Sequence, residues 1–235
     1  MRFKTPLMRG KLIKRYKRFL ADVLLDTGET VTAACPNTGS MLGLTEAGNN
    51  VWLSLSESPT RKYPHTWELV EIKEQGLVGV NTGQPNHIVS EAVARQKIAT
   101  LNGYATLRTE VRYGQNSRID ILLEDPSRPP CYVEIKNVHF FRKPGLAEFP
   151  DCVTERGAKH LVEMSKMVAR GARAVMVYLI QCQAPQRFAL ADDKDRNYFE
   201  EFRKAKAAGV EALALTCHIS LAEIVVDRAI PVVET

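Results

Sequence analysis

The chain has 235 residues, of which 45% are hydrophobic and 25% charged, and a formal net charge of +5. A chain of this length can bury a proper core as one large domain or two small ones. Its first residues lack the apolar core of a signal peptide, and no apolar run approaches the roughly 18 residues of a spanning helix, which predicts a cytoplasmic protein. The five cysteines form no CxxC pair, so we expect reduced, buried thiols.

Basic and aromatic residues are interleaved in the N-terminal stretch RGKLIKRYKRFL. Cationic side chains neutralise phosphates, and rings such as Tyr16 and Phe19 can stack on bases, so the stretch is typical of a nucleic-acid-binding strand. The alternative is an ordinary strand edge whose lysines discourage pairing with another chain. The candidate nucleic-acid-binding residues here are Arg9, Lys11, Lys14, Arg15, Lys17 and Arg18.

The segment from Lys11 to Val80 consists of short apolar or alternating runs separated by turn residues. Two strands are predicted around the turn Asp26-Thr27-Gly28, and others in NVWLSLSES, HTWELVEIKEQ and GLVGV. About five short strands in so few residues favour a small barrel or sandwich.

Helical and strand patterns alternate after Val80. NTGQPNHIVSEAVARQKIATLNG predicts a loop and a helix, with Asn86 as the N-cap and Gly103 as the stop. Further strands are predicted at 105–113, 118–124 and 131–140, then a helix at 154–169, the buried strand RAVMVYLI, a helix at 195–208 and the strand VEALALTC. This alternation predicts an α/β unit of residues 84–235 that follows a β unit of residues 1–83.

Charged residues occupy interior positions of two adjacent strands in SRIDILLEDPSRPPCYVEIKNV. Glu134 and Lys136 share one face of their strand, because side chains alternate along a strand. The short loop DPSRPP predicts an antiparallel hairpin that brings Asp120 onto the same face. The alternative is a set of cross-strand ion pairs on a solvated face.

Two neighbouring carboxylates repel each other when buried, and a divalent cation removes that penalty. Oxygen ligands suit hard ions, so we expect Asp120 and Glu134 to bind Mg²⁺ or Mn²⁺. Lys136 could orient the attacking water or offset charge on a phosphate. Glu91 lies toward the apolar side of the preceding helix, where it could tune the site.

This pattern resembles the PD-(D/E)XK nuclease superfamily, whose core is a helix, a three-strand meander, a helix and a strand. In that comparison Asp120 stands for the aspartate, Glu134 and Lys136 for the E-x-K, and Glu91 for the acid of the first helix. The motif begins with Ile-Asp here instead of Pro-Asp.

Five blocks in order resemble the sugar fermentation stimulation protein A family: CPNTGSM, RYGQNSRIDILLED, CYVEIKNVHF, FPDCVTERGAKHL and GARAVMVYLIQ. The resemblance implies an N-terminal OB-like barrel, a C-terminal nuclease-like mixed sheet flanked by helices, and DNA binding without marked sequence preference. It also implies a regulatory link to maltose metabolism.

Three further cations lie near the predicted site. Thr154 is expected to cap the helix of TERGAKHL, whose first turns carry Arg156 and Lys159, and Arg118 precedes Asp120 by two residues on the same face. These side chains could contact a phosphate, or they could be ordinary surface charges. Gly114 and Asn116 of RYGQNSR are expected to form a turn.

Three classes of function fit these observations. The first is a metal-dependent nuclease, the second a DNA-binding regulator that keeps the nuclease fold without turnover, and the third a phosphodiesterase acting on small nucleotides. The chain has no GxSxG elbow and no nucleotide cradle, which argues against a serine hydrolase and a kinase. The sequence leaves the oligomeric state open, a dimer included.

Overall fold

The computed structural model describes residues 1–114 and 117–233. In its N-terminal part six strands form one sheet in the order β3-β2-β1-β4-β5-β6, and an added β3–β5 pairing closes the first five into a barrel. These strands are β1 (Met8–Tyr16), β2 (Leu20–Leu25), β3 (Thr30–Ala34), β4 (Asn50–Leu55), β5 (His65–Ile72) and β6 (Gly76–Gly79).

The barrel forms because its strands alternate between apolar and polar positions. In β1, Gly10 and Leu12 are buried while Arg9 and Lys11 are exposed, so one face of the strand lines the core and the other meets solvent. Trp67 of β5 is fully buried in the same core, and its indole N–H donates to Leu69 O at 2.9 Å.

A second six-stranded sheet, ordered β15-β14-β12-β9-β8-β7, forms the centre of the C-terminal part. The predicted hairpin of β8 and β9 is antiparallel, and it is central because β7 and β12 flank it. The apolar strand β12 runs parallel to both neighbours, as expected for a buried strand. The strands are β7 (Thr106–Tyr113), β8 (Ser117–Asp125), β9 (Arg128–Val138), β12 (Arg173–Ile180), β14 (Glu211–Ile219) and β15 (Ile224–Ile230).

Helices cover both faces of this sheet. On one face α1 (Pro85–Ala94) buries Ile88 and Val89, and on the other α2 (Glu155–Ala169) and α3 (Arg196–Ala207) bury residues such as Leu161. The core on the α2 side is continuous with that of the barrel. A 3₁₀ turn at Ala99–Leu101 follows α1.

The barrel and the sheet meet closely at Gly79. A Cβ at that position would lie 2.4 Å from the side chain of Gln181, and the main-chain N–H of Gly79 donates to Gln181 O at 2.9 Å. Only a residue without a side chain permits this approach.

Several boundaries differ from the sequence expectation. The N-cap of α1 is Gln84, and Asn86 lies inside the helix, because Pro85 occupies its first turn. The helix ends at Ala94, well before Gly103. Thr154 caps α2 as expected, accepting the N–H of Gly157, and Asp195 caps α3 by accepting the N–H of Tyr198.

A small four-stranded sheet, ordered β10-β11-β13-β16, lies beside α3 and was not predicted. Its strands are too short to leave a periodic pattern: β10 (Phe140–Lys143), β11 (Leu146–Phe149), β13 (Arg187–Leu190) and β16 (Val232–Val233). The cysteines are all free, but Cys152 is exposed, contrary to the expectation that all are buried. No helix in residues 1–114 and 117–233 is both long and apolar enough to cross a membrane.

Candidate metal and phosphate site

Asp120 lies where β8 and β9 diverge. The ladder pairs Leu122 with Tyr132 and Ile121 with Val133, and it ends there, before Asp120 and Glu134. Beyond that point the Asp120 carboxylate accepts the main-chain N–H of Ile135 at 2.7 Å. The Asp120 side chain therefore accepts a main-chain N–H that would bond to a main-chain carbonyl of β8 if the hairpin ladder continued.

The other oxygen of Asp120 accepts a hydrogen bond from the side-chain amide of Asn86 on α1, at 2.9 Å. Burial, followed by the negative charge of Glu134, raises the pKa of Asp120 to about 6. The charged form of Asp120 is therefore disfavoured at this position, although two donors and the charge of Lys136 support it.

Glu134 is 3% exposed, and its two oxygens have different surroundings. Oε1 accepts from Lys136 Nζ at 2.8 Å and contacts Nδ1 of His160. Oε2 is buried without a hydrogen-bond partner among the residues that the structure describes. Burial opposes ionisation, but the hydrogen bond from His160 and the charge of Lys136 hold the pKa of Glu134 below its ordinary value of 4.5.

His160 is a site residue that the sequence did not single out. It is buried on α2, between Glu134 and Arg156, whose Nε lies 3.4 Å from Nε2 of the imidazole. The signal was present in TERGAKHL, where His160 lies one helical turn after Arg156, on the same side of the helix.

The predicted role of Glu91 in tuning the site is not supported by its position. Its carboxylate binds the Met1 amino group at 2.5 Å and Arg95 at 2.7 Å. The residue of α1 that reaches Asp120 is Asn86, and five residues of helix turn Glu91 about 140° away from it.

Glu110 lies opposite Asp120 on the other side of β8. Register pairs on both sides of it, Thr109 with Ile121 and Val111 with Ile119, fix that position. The Asn86 amide reaches Glu110 Oε1 at 3.3 Å as well as Asp120, so it bridges the two carboxylates. Glu110 has a positive φ of 55°.

A cavity of about 380 Å³ adjoins these residues and is lined largely by cations and by a buried hydroxyl. Within the described chain, the Ser117 hydroxyl is buried and lacks a hydrogen-bond partner. The lining residues are Glu110, Ser117, Arg118, Arg156, Lys159 and His160. The structure thus brings the three predicted cations, Arg118 on β8 and Arg156 and Lys159 on α2, to one cavity beside His160, which contacts Glu134.

Gly114, in the segment RYGQNSR, lies close to α2. A Cβ on Gly114 would lie 1.8 Å from Oε2 of Glu163 on α2, and φ at Gly114 is 53°, so both space and conformation require glycine. Asn116, expected to form part of the turn, lies outside the described residues.

The cations of the N-terminal stretch divide into three groups. Arg9 and Lys14 lie 3.9 Å from Asp26 and 3.6 Å from Asp22, at exposed sites where such pairs are weak. Lys11 and Lys17 are exposed and form no ion pair with any described residue. Arg15 and Arg18 instead donate to main-chain carbonyls, so their first role is structural: Arg15 binds Asn37 and Gly39, and Arg18 binds Thr38.

The CPNTGS loop joins the barrel to the end of β9. Ser40 donates from its N–H and its hydroxyl to Asp151 Oδ2, at 3.0 and 2.7 Å, and Asn37 Nδ2 lies 3.3 Å from Nε2 of His139, the residue after β9. Burial opposes ionisation of Asp151, but hydrogen bonds from His139 and Ser40 hold its pKa well below the ordinary value. The loop is therefore anchored three residues past Lys136.

The candidate ligands for a cation are the carboxylates of Asp120 and Glu134. No group of three or more His, Cys, Asp and Glu side chains in residues 1–114 and 117–233 could hold a metal ion. Two carboxylates nevertheless fit a hard cation such as Mg²⁺, which commonly takes one or two carboxylates and completes its shell with water and phosphate oxygens. The unpartnered Oε2 of Glu134 is an available ligand atom.

Comparisons with known proteins agree on one family. The model of the sugar fermentation stimulation protein RE domain matches residues 83–223, and that of the SfsA N-terminal OB domain matches residues 13–80. The chain is 55% identical over 232 residues to sugar fermentation stimulation protein homologs of Brucella ovis and Brucella melitensis, covering 99% of this chain and 97% of each relative.

A solved structure, described as Pyrococcus furiosus SfsA in complex with Ca²⁺, has the same fold. It superposes with a TM-score of 0.88 at 24% identity and covers 99% of this chain and 97% of that one. The predicted architecture, an OB-like barrel followed by a mixed sheet flanked by helices, is confirmed. The chain belongs to the sugar fermentation stimulation protein family.

Proposed function

We propose that this protein is a metal-dependent nuclease that binds DNA without strong sequence preference and hydrolyses phosphodiester bonds. The observation that carries the proposal is the buried Oε2 of Glu134, which has no hydrogen-bond partner among the described residues. The negative charge of Glu134 also raises the pKa of Asp120. Buried like charges raise each other's energy, and a divalent cation between them relieves that repulsion.

Asp120 and Glu134 would hold the cation, with Mg²⁺ or Mn²⁺ as the natural ions for carboxylate ligands. When bound, such an ion supplies Lewis-acid stabilisation of a phosphoryl group and a water nucleophile of lowered pKa. The Ca²⁺ complex of the Pyrococcus furiosus relative supports a divalent ion for this family.

The protein's own side chains bind and orient the substrate. Lys136, whose side chain is 13% exposed, holds its ammonium 2.8 Å from Glu134 and so brings a positive charge to the place where charge develops on the phosphate. Arg118, Arg156 and Lys159 line the adjoining cavity and bind the phosphodiester there. His160 fixes the orientation of Glu134 through the contact with Oε1.

A nucleic acid is the proposed polymer because exposed lysines such as Lys11 and Lys17 on the barrel add cationic surface outside the cavity. The choice of DNA follows the family resemblance. Contacts to phosphates alone carry no sequence information, which accounts for weak sequence preference. The proposal includes a division into units of residues 1–83 and 84–235 and action in the cytoplasm. A role in regulating maltose metabolism rests on the family resemblance alone.

The test is cleavage of plasmid and oligonucleotide DNA with Mg²⁺ or Mn²⁺ by the parent, Asp120→Asn and Lys136→Met, after folding of each variant has been verified. We expect metal-dependent cleavage by the parent and a loss of about a hundredfold or more in each variant. Equal cleavage by the variants would contradict the assignment of the site. DNA binding without cleavage in either metal would instead identify a non-catalytic DNA-binding regulator on a nuclease-like fold.

A further inference from the structure

The turn between β1 and β2 has an unusual backbone. It consists of Lys17, Arg18 and Phe19, called here the hairpin tip, and it is closed by the pairing of Tyr16 with Leu20. Lys17 and Arg18 have positive φ values of 50° and 65°. This left-handed region costs about 1 kcal/mol or more for a residue with a Cβ, and glycine is the residue that normally occupies it.

Several hydrogen bonds hold the hairpin tip in this conformation. Arg18 Nε donates to Thr38 O at 2.9 Å, and Arg15 Nη2 donates to Arg18 O at 2.7 Å. The main-chain N–H of Cys35 donates to Phe19 O at 2.7 Å. The tip is therefore a fixed part of the barrel surface, and it presents Lys17 and Phe19 outward, with the Phe19 side chain 50% exposed.

The hairpin tip is linked by hydrogen bonds and a short chain segment to the start of α2, which lines the phosphate cavity. The loop of Thr38 that receives Arg18 continues into Ser40, which binds Asp151. Asp151 precedes the α2 cap, Thr154, by three residues, and α2 carries Arg156 and Lys159 into the cavity. Burial and Asp151 raise the pKa of Cys152 while the charge of Arg18 opposes the shift, so Arg18 acts on this segment directly.

We propose that the hairpin tip binds an unpaired nucleotide next to the phosphodiester in the cavity, with Phe19 stacked on the base and Lys17 on the backbone. The substrate class is then DNA with a single-stranded segment at the cleaved bond. In a continuous duplex the faces of the bases are covered by their neighbours, so an aromatic ring finds a partner only where a base is unpaired. This inference rests on the proposed function.

Charge and surface composition favour nucleic acid as the occupant. Lys17 and Arg18 of the tip and Arg118, Arg156 and Lys159 of the cavity are exposed cations, whereas the cavity lining includes one acid, Glu110, and Glu155 begins α2. Phe19 makes no ring contact with any described aromatic residue, and Val153, just before the α2 cap, is 68% exposed. Exposed rings among cations are the usual combination in surfaces that bind single strands.

The test compares binding of a labelled single strand, and of the duplex of the same sequence, by the full-length protein without metal. We expect Phe19→Ala to weaken single-strand binding about tenfold and duplex binding by less than about twofold, since stacking contributes about a tenfold factor or more per base. Phe19→Tyr should restore the affinity. Leu24→Ala is the matched control, because Leu24 is an exposed apolar residue at the other end of β2.

Unchanged single-strand binding by Phe19→Ala would overturn the inference, as would an equal loss on both substrates or a parent that binds neither. A cleavage assay distinguishes a failure of the hairpin-tip proposal from a failure of the proposed nuclease function. A selective loss of single-strand binding in Phe19→Ala with no metal-dependent cleavage by the parent would sustain the hairpin-tip site and reject the nuclease. Cleavage that depends on Asp120, together with unaltered single-strand binding by Phe19→Ala, would support the nuclease and reject the hairpin-tip site.

Discussion

The Asp120 carboxylate accepts the main-chain N–H of Ile135 at 2.7 Å, at the point where their two strands diverge. One side chain thus completes the hydrogen bonding of the sheet and also faces Glu134, whose charge acts on it. An acid in this position carries an energetic penalty whenever it is ionised, and that penalty makes the site testable without a substrate.

The first prediction concerns Asp120→Asn. The pKa of Asp120 is raised from 3.8 to about 6, so its contribution to stability is fully present below 3.8 and is lost as the pH rises through 6. Asparagine can still accept from Ile135, and Asn86 can rotate its amide to accept from the new NH₂ group. At pH 8 without metal we expect the variant to be about 2 kcal/mol more stable than the parent in urea unfolding. At pH 4 the two should be nearly equal, and a variant less stable at both values would contradict the prediction.

The second prediction is that Glu134→Gln has the opposite effect. Lys136 is largely buried and loses its anionic partner in this variant, and an NH₂ group replaces Oε2, a buried atom without a hydrogen-bond partner among the described residues. We expect the free energy of unfolding to fall by about 1–3 kcal/mol at pH 8.

The control for that prediction is a double-mutant cycle with Lys136→Met. If Lys136 and Glu134 depend on each other, the double variant should be more stable than the sum of the two single losses allows. Strict additivity would mean that their 2.8 Å contact contributes nothing to stability.

The third prediction follows from the corrected position of Glu91. Its carboxylate is held by Met1 and Arg95 on the far side of α1. Glu91→Gln should leave Mn²⁺ affinity within about twofold of the parent in calorimetry, since no ligand atom is altered. A large loss of Mn²⁺ affinity would show that Glu91 contributes to the metal site.

The error on Glu91 has a definite physical reason. Strand alternation has a period of two, so the sequence placed Glu134 and Lys136 on one face without ambiguity. The apolar stripe of α1 identified its buried side, but α1 is short and packs beside both the sheet and the N-terminal segment. The apolar stripe does not indicate whether an acid at its margin contacts the sheet or the N-terminal segment.

Other parts of the site left little local signal: Asn86 and Ser117 left none, and His160 left only its helical spacing from Arg156. Asn86, His160 and Ser117 come from a helix, a second helix and a strand, and only the assembled sheet brings them around Asp120 and Glu134. The barrel, in contrast, could be predicted from its short strands and turns. The roles of Arg15 and Arg18 could not be predicted, because both bind main-chain carbonyls, which every residue has whatever its side chain.

The fourth prediction concerns the cavity. Arg156→Ala and Lys159→Ala should each weaken DNA binding and reduce the slope of log affinity against log salt by about 1, because each removes one phosphate contact. Lys73→Ala is the control, since Lys73 is an exposed lysine at the β5–β6 turn. Unchanged slopes in both cavity variants would show that the phosphate backbone lies elsewhere.

The measurement that tests the account most directly is calorimetric titration of Mn²⁺ into the parent, Asp120→Asn and Glu134→Gln, with and without DNA. Glu124→Gln serves as a folded control, because Glu124 is an exposed acid at the far end of the same strand as Asp120. The account predicts saturable binding in the parent and the control and its loss in both site variants. Absence of Mn²⁺ binding by the parent even with DNA, or binding unchanged in both site variants, would contradict the claim that Asp120 and Glu134 hold a metal ion.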